Sequence, residues 1–259
     1  MTTLRSPSDR VIPSKEELTR ELDRAGVTIP GDITRSVVVS DEIFHNLSES
    51  PDLQHIIECS ALPSLHQLSN SSLYLWTTDE RSALVFTSQG YSPASDSLSS
   101  RAPLIRMAVF LGVGRFLFLD IARPISRNLP MNAVISDHVN LLGDNPLIGT
   151  NDDRFGVRFP DMSSVYSVAR AQEISGVCRE REISHASDGV LVGMPNTQEL
   201  TEKERQALGQ VGKNYRTDAL IPEIIVAHHA GMEVAALLIS RGMDHDSLYG
   251  FLNDLLDRR

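Results

Sequence analysis

Cysteine is scarce in this sequence: of 259 residues, only Cys59 and Cys178 are cysteines. Two thiols so far apart, with no C-x-x-C spacing, supply neither a disulfide framework nor a cysteine zinc site, and they suit a reducing compartment. Basic clusters are also missing. No basic run exceeds two residues, and 24 Lys plus Arg stand against 34 Asp plus Glu, for a formal net charge of −10 and a pI near 5.2. Nucleic-acid binders present a basic patch or stripe, so direct nucleic-acid contact is not expected. Long hydrophobic runs are absent too. The longest nearly apolar stretch, Met107 to Ala122, is interrupted by Arg115 and Asp120 and is too short to span a bilayer. The opening MTTLRSPSDR carries no apolar segment of the kind a secretory signal needs. These absences lead us to expect an intracellular chain, cytoplasmic or nuclear, with no membrane partner.

What is present is enough apolar material, 41% of the residues, for one large α/β domain. Residues 1–13 are polar. Ser14 with Glu17 forms a capping box, which predicts a short amphipathic helix from Glu16 to Ala25 with Leu18, Leu22 and Ala25 on one stripe. That stripe is suited to docking either on the chain's own core or on a partner. Ser36–Val39 reads as extended and Asp41–Leu47 as a short helix. Gln54–Cys59, Leu73–Thr78 and Ala83–Ser88 read as strands, the last two joined as a hairpin. Serine-rich Ser92–Ser100 reads as a surface loop. Downstream, the pattern predicts a helix over Leu104–Leu111, a doubly buried strand over Phe116–Ile121, and a short strand over Ala133–Ile135. It then predicts a helix over Ser163–Ser175, a strand over Val190–Gly193 and a helix over Glu199–Gln210. A helix opened by Pro222, a strand over Glu233–Ile239 and a last helix over Ser247–Leu256 complete the chain. This alternation argues for a single three-layer α/β domain.

Four stretches carry a resemblance. The first, DHVNLLGDNPLIGTNDDRFGVRFPDM (Asp137 to Met162), resembles the signature of the trimeric purine nucleoside phosphorylases, the family that includes methylthioadenosine phosphorylase. The second, IPEIIVAHHAGMEVAALLIS (Ile221 to Ser240), resembles that family's Pro-Glu helix and following strand. VGMPNTQE (Val192 to Glu199) stands where the family has a base-binding Gly-Pro-x-x-Glu segment, and IIECSALP (Ile56 to Pro63) is similar to its strand and phosphate loop. The resemblance runs from about residue 41 to 250. It implies a central mixed sheet, partly closed into a barrel and flanked by helices, a homotrimeric assembly, and no cofactor or metal. On it we divide the chain into an N-terminal extension, residues 1–40, and a phosphorylase-like domain, residues 41–259.

The family's reaction is phosphorolysis of a purine nucleoside. It needs backbone N–H groups and cations for phosphate, and donors for the departing purine. Several of the matching positions depart from that pattern. Of the Gly-Ser-Gly-Leu-Gly phosphate loop only Ser60 remains, in Cys59-Ser60-Ala61-Leu62-Pro63, and Pro63 has no N–H to give. The segment after Gly90 has neither the family's Arg nor its His. The third phosphate element falls on Phe118 to Pro124, where Asp120 adds a negative charge and Arg123 or Arg127 remain as substitutes. The purine carboxylate maps to Gln198, or to Glu199 if the loop shifts by one. The apolar ribose floor maps to Asp218-Ala219, and the ring-binding Asn maps to Arg241 or Gly242. His229 matches a structural His, with His228 in place of an Arg. Asp137 and His138 match a strand end and loop, and Asp152, Asp153 and Arg154 match framework. Phe159 matches the aromatic residue that caps a neighbouring subunit's pocket, although packing within its own subunit is the other reading.

From these departures we expect no catalytic residues: a phosphorylase-like pseudoenzyme acting as a protein-interaction or scaffold subunit, in a homo-oligomer or with a related chain. The alternatives are an active purine nucleoside phosphorylase and a nucleoside-binding sensor without turnover.

Overall fold

The computed structural model of the chain describes residues 13–31, 33–63, 71–88, 98, 102–195 and 199–258. The predicted stretch Ser92–Ser100 (Leu98 apart), and Gln198 with its neighbours Asn196 and Thr197, lie outside the described residues.

Period-two apolar patterning builds the sheet. In β1 (Arg35–Ser40) and β5 (Arg115–Ile121), Val38, Phe116 and Phe118 belong to one core, while Val37, Val39, Leu117 and Leu119 belong to the other. Successive side chains of a strand point to opposite faces. Both faces are covered here, so these strands read as continuous apolar runs. One face is covered by α1 (Lys15–Arg24), α3 (Ala102–Phe110) and α6 (Ile221–His229), the other by α2 (Asp41–Leu47), α4 (Val168–Glu180) and α7 (His245–Asp257). The remaining strands are β2 (Leu53–Glu58), β3 (Ser72–Thr77), β4 (Ser82–Ser88), β6 (Ala133–Asn140), β7 (Ala186–Gly193), β8 (Lys213–Thr217) and β9 (Glu233–Ile239), and α5 is Glu202–Gly209. Among the described residues, nine strands form one mixed sheet in the order β2-β3-β4-β1-β5-β9-β6-β7-β8.

The sheet is partly closed on itself. β6 pairs with β9 only at Ala133 and Val134, then runs alongside β7 through shifts of register. This bend carries β7 and β8 round towards the end of β5. There the chain leaving β5 bonds to β8: Arg216 N donates to Arg123 O at 2.8 Å and Ile125 N to Asn214 O at 2.9 Å. Inside the curl, a Cβ on Gly189 would stand 2.9 Å from Ile135 Cδ1 and 3.0 Å from Ala133 Cβ, so only glycine fits without repacking.

The capping box at Ser14 forms, with Glu17 N donating to Ser14 Oγ at 3.1 Å, and Leu18 and Leu22 dock on the chain's own core. β1 lies inside the sheet, paired with β4 on one side and β5 on the other. Several elements differ from expectation, among them β7, which starts at Ala186 rather than Val190, and α5, which starts at Glu202 rather than Glu199. β6 continues to Asn140 because pairing with β7 extends to Gly193, so Asp137 and His138 are strand residues rather than a strand end and loop. α4 starts at Val168, since Tyr166 is held extended against Val234 and Ser167 provides the cap. β8 was not expected at all. Its sequence, KNYRT, is polar, and it becomes a strand through pairing on both sides.

The segment from Asn151 to Pro160 is clamped to the end of α6, where Gly156 (φ +158°) leaves room for a Cβ only 2.1 Å from the His229 carbonyl oxygen. Gly156→Ala should therefore lower unfolding free energy by about 2 kcal/mol or more, the scale of an overpacked contact. Gly114→Ala, which meets nothing within 4 Å, should be near neutral. Urea denaturation of both variants checks the difference.

Candidate functional site

β2, β4, β1, β5 and β9 run parallel, so their carboxyl ends share one edge of the sheet. In open α/β sheets that edge is where ligands bind. β1 delivers Glu42 there through α2, β5 delivers Asp120 and Arg123, and the chain leaving β9 delivers Arg241. The curl brings Thr217 and Asp218 from the end of β8. Arg123 Nη1 is 3.3 Å from Asp120 Oδ2 and its Nη2 is 3.1 Å from Glu42 Oε1, while Arg241 Nη2 reaches Glu42 Oε2 at 2.8 Å. Asp120, 1% exposed, also accepts from Ile121 N at 2.8 Å and from Thr217 Oγ1 at 2.9 Å.

The electrostatics follow from burial and pairing. Burial pushes the Asp120 carboxyl above the usual carboxylate range, with Arg123 pulling the other way. Burial acts to lower the Arg123 guanidinium, but Asp120, Glu42 and Asp218 together outweigh it and hold its proton more tightly. Glu42 and Asp120 thus balance Arg123 and Arg241, and neither guanidinium is left with an uncompensated charge.

The turn after β2 is a 3-10 helix, Cys59–Ala61. Cys59 N donates to Ser71 O at 2.8 Å and Leu62 N to Cys59 O at 3.1 Å. With Pro63 lacking an N–H, three of the five backbone positions around Ser60 are unavailable to an anion. Phe159 stands on a different surface. It is 83% exposed, with the Arg158 guanidinium 5.3 Å over its ring, beside a cavity of about 400 Å³ that Ile148, Pro160 and Met162 help to line. The reading in which Phe159 packs within its own subunit does not hold.

Over 155 residues the chain is 33% identical to purine nucleoside phosphorylase 1 of Geobacillus stearothermophilus, a match spanning 56% of each protein. Over 161 residues it is 31% identical to the mouse purine nucleoside phosphorylase, spanning 59% of this chain and 56% of that one. The chain is similar in sequence to purine nucleoside phosphorylases. It spans a little over half the length of the curated relatives it matches. No family model matches it. The fold is shared throughout: the Schistosoma mansoni purine nucleoside phosphorylase in complex with acetate superposes with a TM-score of 0.82 at 20% identity, covering 97% of this chain and 99% of that one. A purine nucleoside phosphorylase in complex with ribose-1-phosphate gives 0.80 at 19% identity, covering 96% and 98%.

On this phosphorylase frame the residues singled out from sequence fall into separate groups. Asp218 and Arg241 join the Asp120 cluster, Asp218 through its charge on Arg123. Gly242 is exposed and donates its N–H to Ser240 Oγ at 3.2 Å. Ser60 is exposed on its own turn, and Arg127 lines a cavity elsewhere, with Ile125 and Asn214. His228 and His229 diverge: His228 Nε2 is 2.7 Å from Asp161 O, whereas His229 is buried against Gly156. Asp152 and Arg154 form a two-point ion pair, at 2.6 and 2.8 Å, that ties the loop down. Sequence reasoning missed Glu42, which bridges both arginines, because nothing local marks an exposed glutamate on a short helix. It also missed the backbone of Leu220, whose φ of 64° in a fully buried, non-glycine residue marks strain beside Asp218.

The sign of the Asp120 shift gives a test. A carboxyl raised by folding contributes most when protonated, and that contribution is lost as pH climbs through its raised value. Asp120→Asn should therefore melt at or above the wild-type temperature near pH 8, and the gap should narrow towards about pH 4. Melting curves across that range check it. A variant that loses more stability at the alkaline end would mean that Arg123 pairing outweighs burial.

Proposed function

We propose that this purine nucleoside phosphorylase-like chain has given up phosphorolysis and works as an interaction subunit, paired with itself or with a related chain. One observation carries the reading: Arg123, the cation at the third phosphate element, is divided between Asp120 and Glu42. A phosphate dianion beside Arg123 would meet two carboxylates already in contact with it. Each like-charge pair at ~4 Å costs about 4 kcal/mol with screening typical of a protein surface. The bonded turn at Ser60 supports the same reading, as does the loss of the family's residues at Gln198, Asp218 and Arg241. Ser60 is then a vestige of the phosphate loop.

Association rests on a different surface. Phe159, Val157 (68% exposed) and Ile148 (67% exposed) present an apolar tip on one loop system. Contiguous exposed apolar surface marks an interface more often than chance, and the resemblance assigns the aromatic residue to a subunit boundary. A specific observation favours a second reading, an active phosphorylase: the relatives matched at 31–33% identity are named as purine nucleoside phosphorylases. A third reading, a nucleoside sensor, keeps binding without turnover.

Incubation with inosine, guanosine or methylthioadenosine plus phosphate should release no base above a protein-free blank. Turnover that survives repurification establishes the active reading instead. Saturable thermal stabilisation by nucleosides without turnover would favour the sensor. Solution mass should exceed 28.6 kDa and fall towards it in Phe159→Asp. A concentration-independent monomer mass for the unmodified chain rejects association.

A further inference from the structure

At the edge of the sheet opposite the Asp120 cluster, where β1, β5 and β9 begin, a small cavity of about 20 Å³ lies between these strands and the helices α4 and α7. Arg35, Arg115 and Arg170 line it. Apart from Ser36, every other lining residue is apolar, Leu117, Ile174 and Ala235 among them.

Arg35 decides the character of this cavity. It is the first residue of β1 and only 5% exposed. Its Nη1 donates to Leu256 O and its Nη2 to Arg258 O, so it clamps the end of α7 to the sheet. Carbonyls at a helix C-terminus offer partial negative charge, not a full counter-charge. Among the described residues Arg35 forms no ion pair. Glu173 is taken by Arg170, Glu233 pairs with Arg115 at 3.1 Å, and Asp257 accepts from Thr78 Oγ1. The three guanidiniums that line the cavity are thus met by two carboxylates, an excess of one positive charge. Burial, with the charges of Arg81, Arg170 and Arg115, pulls the Arg35 guanidinium down to about 10, in keeping with that excess. A guanidinium carries five N–H donors, and the two carbonyls use two of them. One further N–H remains on each of Nη1 and Nη2.

Size and charge limit the occupant. About 20 Å³ admits one particle the size of a water molecule, and no carboxylate or phosphate. Chloride is nearly that compact and carries a single negative charge. It accepts hydrogen bonds and needs no acceptor in return, which suits guanidiniums, since they only donate. The space lies beside Arg35 already, so an occupant requires no displacement of strand or helix.

We propose that this cavity binds a single chloride ion, which neutralises Arg35 and strengthens its hold on the end of α7. The proposal does not depend on whether phosphorolysis is retained, because no residue of the Asp120 cluster takes part.

Melting temperatures of the full chain in sodium chloride and in sodium gluconate at equal ionic strength test it. Chloride, or bromide in its place, should raise the melting temperature saturably, by about 5 °C or more at a hundred times the dissociation constant. Gluconate, too large for the cavity, should not. Ala235→Val adds two methyl groups to the cavity wall and should abolish the difference between the salts, whatever it does to the melting temperature itself. In crystals of the unmodified chain soaked in bromide, anomalous scattering should place one bromide against the Arg35 guanidinium. The assignment is overturned if chloride and gluconate give the same melting temperature, as an ordered water alone would. It is equally overturned if Ala235→Val keeps the chloride response or if no bromide lies beside Arg35.

Discussion

Asp120 stands where the central strand leaves the sheet, and its burial there is offset by Arg123, three residues later, together with the donors Ile121 N and Thr217 Oγ1. The strand continues from that point towards β8, so the same short segment turns the sheet, buries a carboxylate and supplies its counter-ion. An unpaired buried charge is strongly unfavourable, and removing one partner of a buried pair costs more than the pair contributes. Once Asp120 occupies the end of β5, Arg123 is committed to it. This pairing links the fold to the site: the guanidinium that compensates the buried strand end is the same one the proposed function turns on.

The geometry of the curl explains why distant residues gather at this place. β6 touches β9 over two residues and then follows β7, which swings the last three strands out of the plane of the first six. The far edge of the sheet is thereby returned to β5, and Thr217 reaches Asp120 across 97 positions of sequence. A flat nine-stranded sheet would leave Thr217 and Asp218 far from the central strands. The Gly189 contacts show how tightly the interior of this curl is filled.

Most elements could be read from sequence because local rules were sufficient for them. Asp41–Leu47 was bounded by its own polar start and apolar pair, and the β3–β4 hairpin was framed by Thr78 to Arg81. Where the sequence misled, a tertiary partner had decided the matter. KNYRT has little strand character alone and acquires it from neighbours on both sides; Asp137 and His138 remain extended because β7 is beside them. At the site, Asp120 and Arg123 were visible as a charge misplaced on an apolar strand and a nearby cation. The bridge from Glu42 to Arg241, 199 positions apart, was not visible, since exposed acidic and basic residues give no sign of whom they will meet. The place of β1 between β4 and β5 was hidden for a related reason. A resemblance that begins at residue 41 says nothing about which strand completes the sheet.

The loop carrying Phe159 shows the reverse relation between rigidity and exposure. Its base is fixed from several sides: Arg154 pairs with Asp152, donates to Pro13 O at 3.3 Å and lies over the rings of Phe110 and Phe155, and Gly156 lets the backbone press against His229. Its tip, by contrast, carries apolar side chains into solvent. A mobile loop with the same residues would lose conformational freedom on association, at roughly 0.5–1.5 kcal/mol for each side chain immobilised. Here the backbone beneath the tip is already held by contacts within the chain, so the association proposed for Phe159, Val157 and Ile148 would not carry that ordering cost. Arg158, stacked on Phe159, restricts that ring further without covering it. Ion pairing that removes a cation from the strand-end site and ion pairing that stiffens this loop are thus the same physical device with opposite consequences. The first compensates a buried carboxylate at the sheet edge, and the second holds an apolar surface in place.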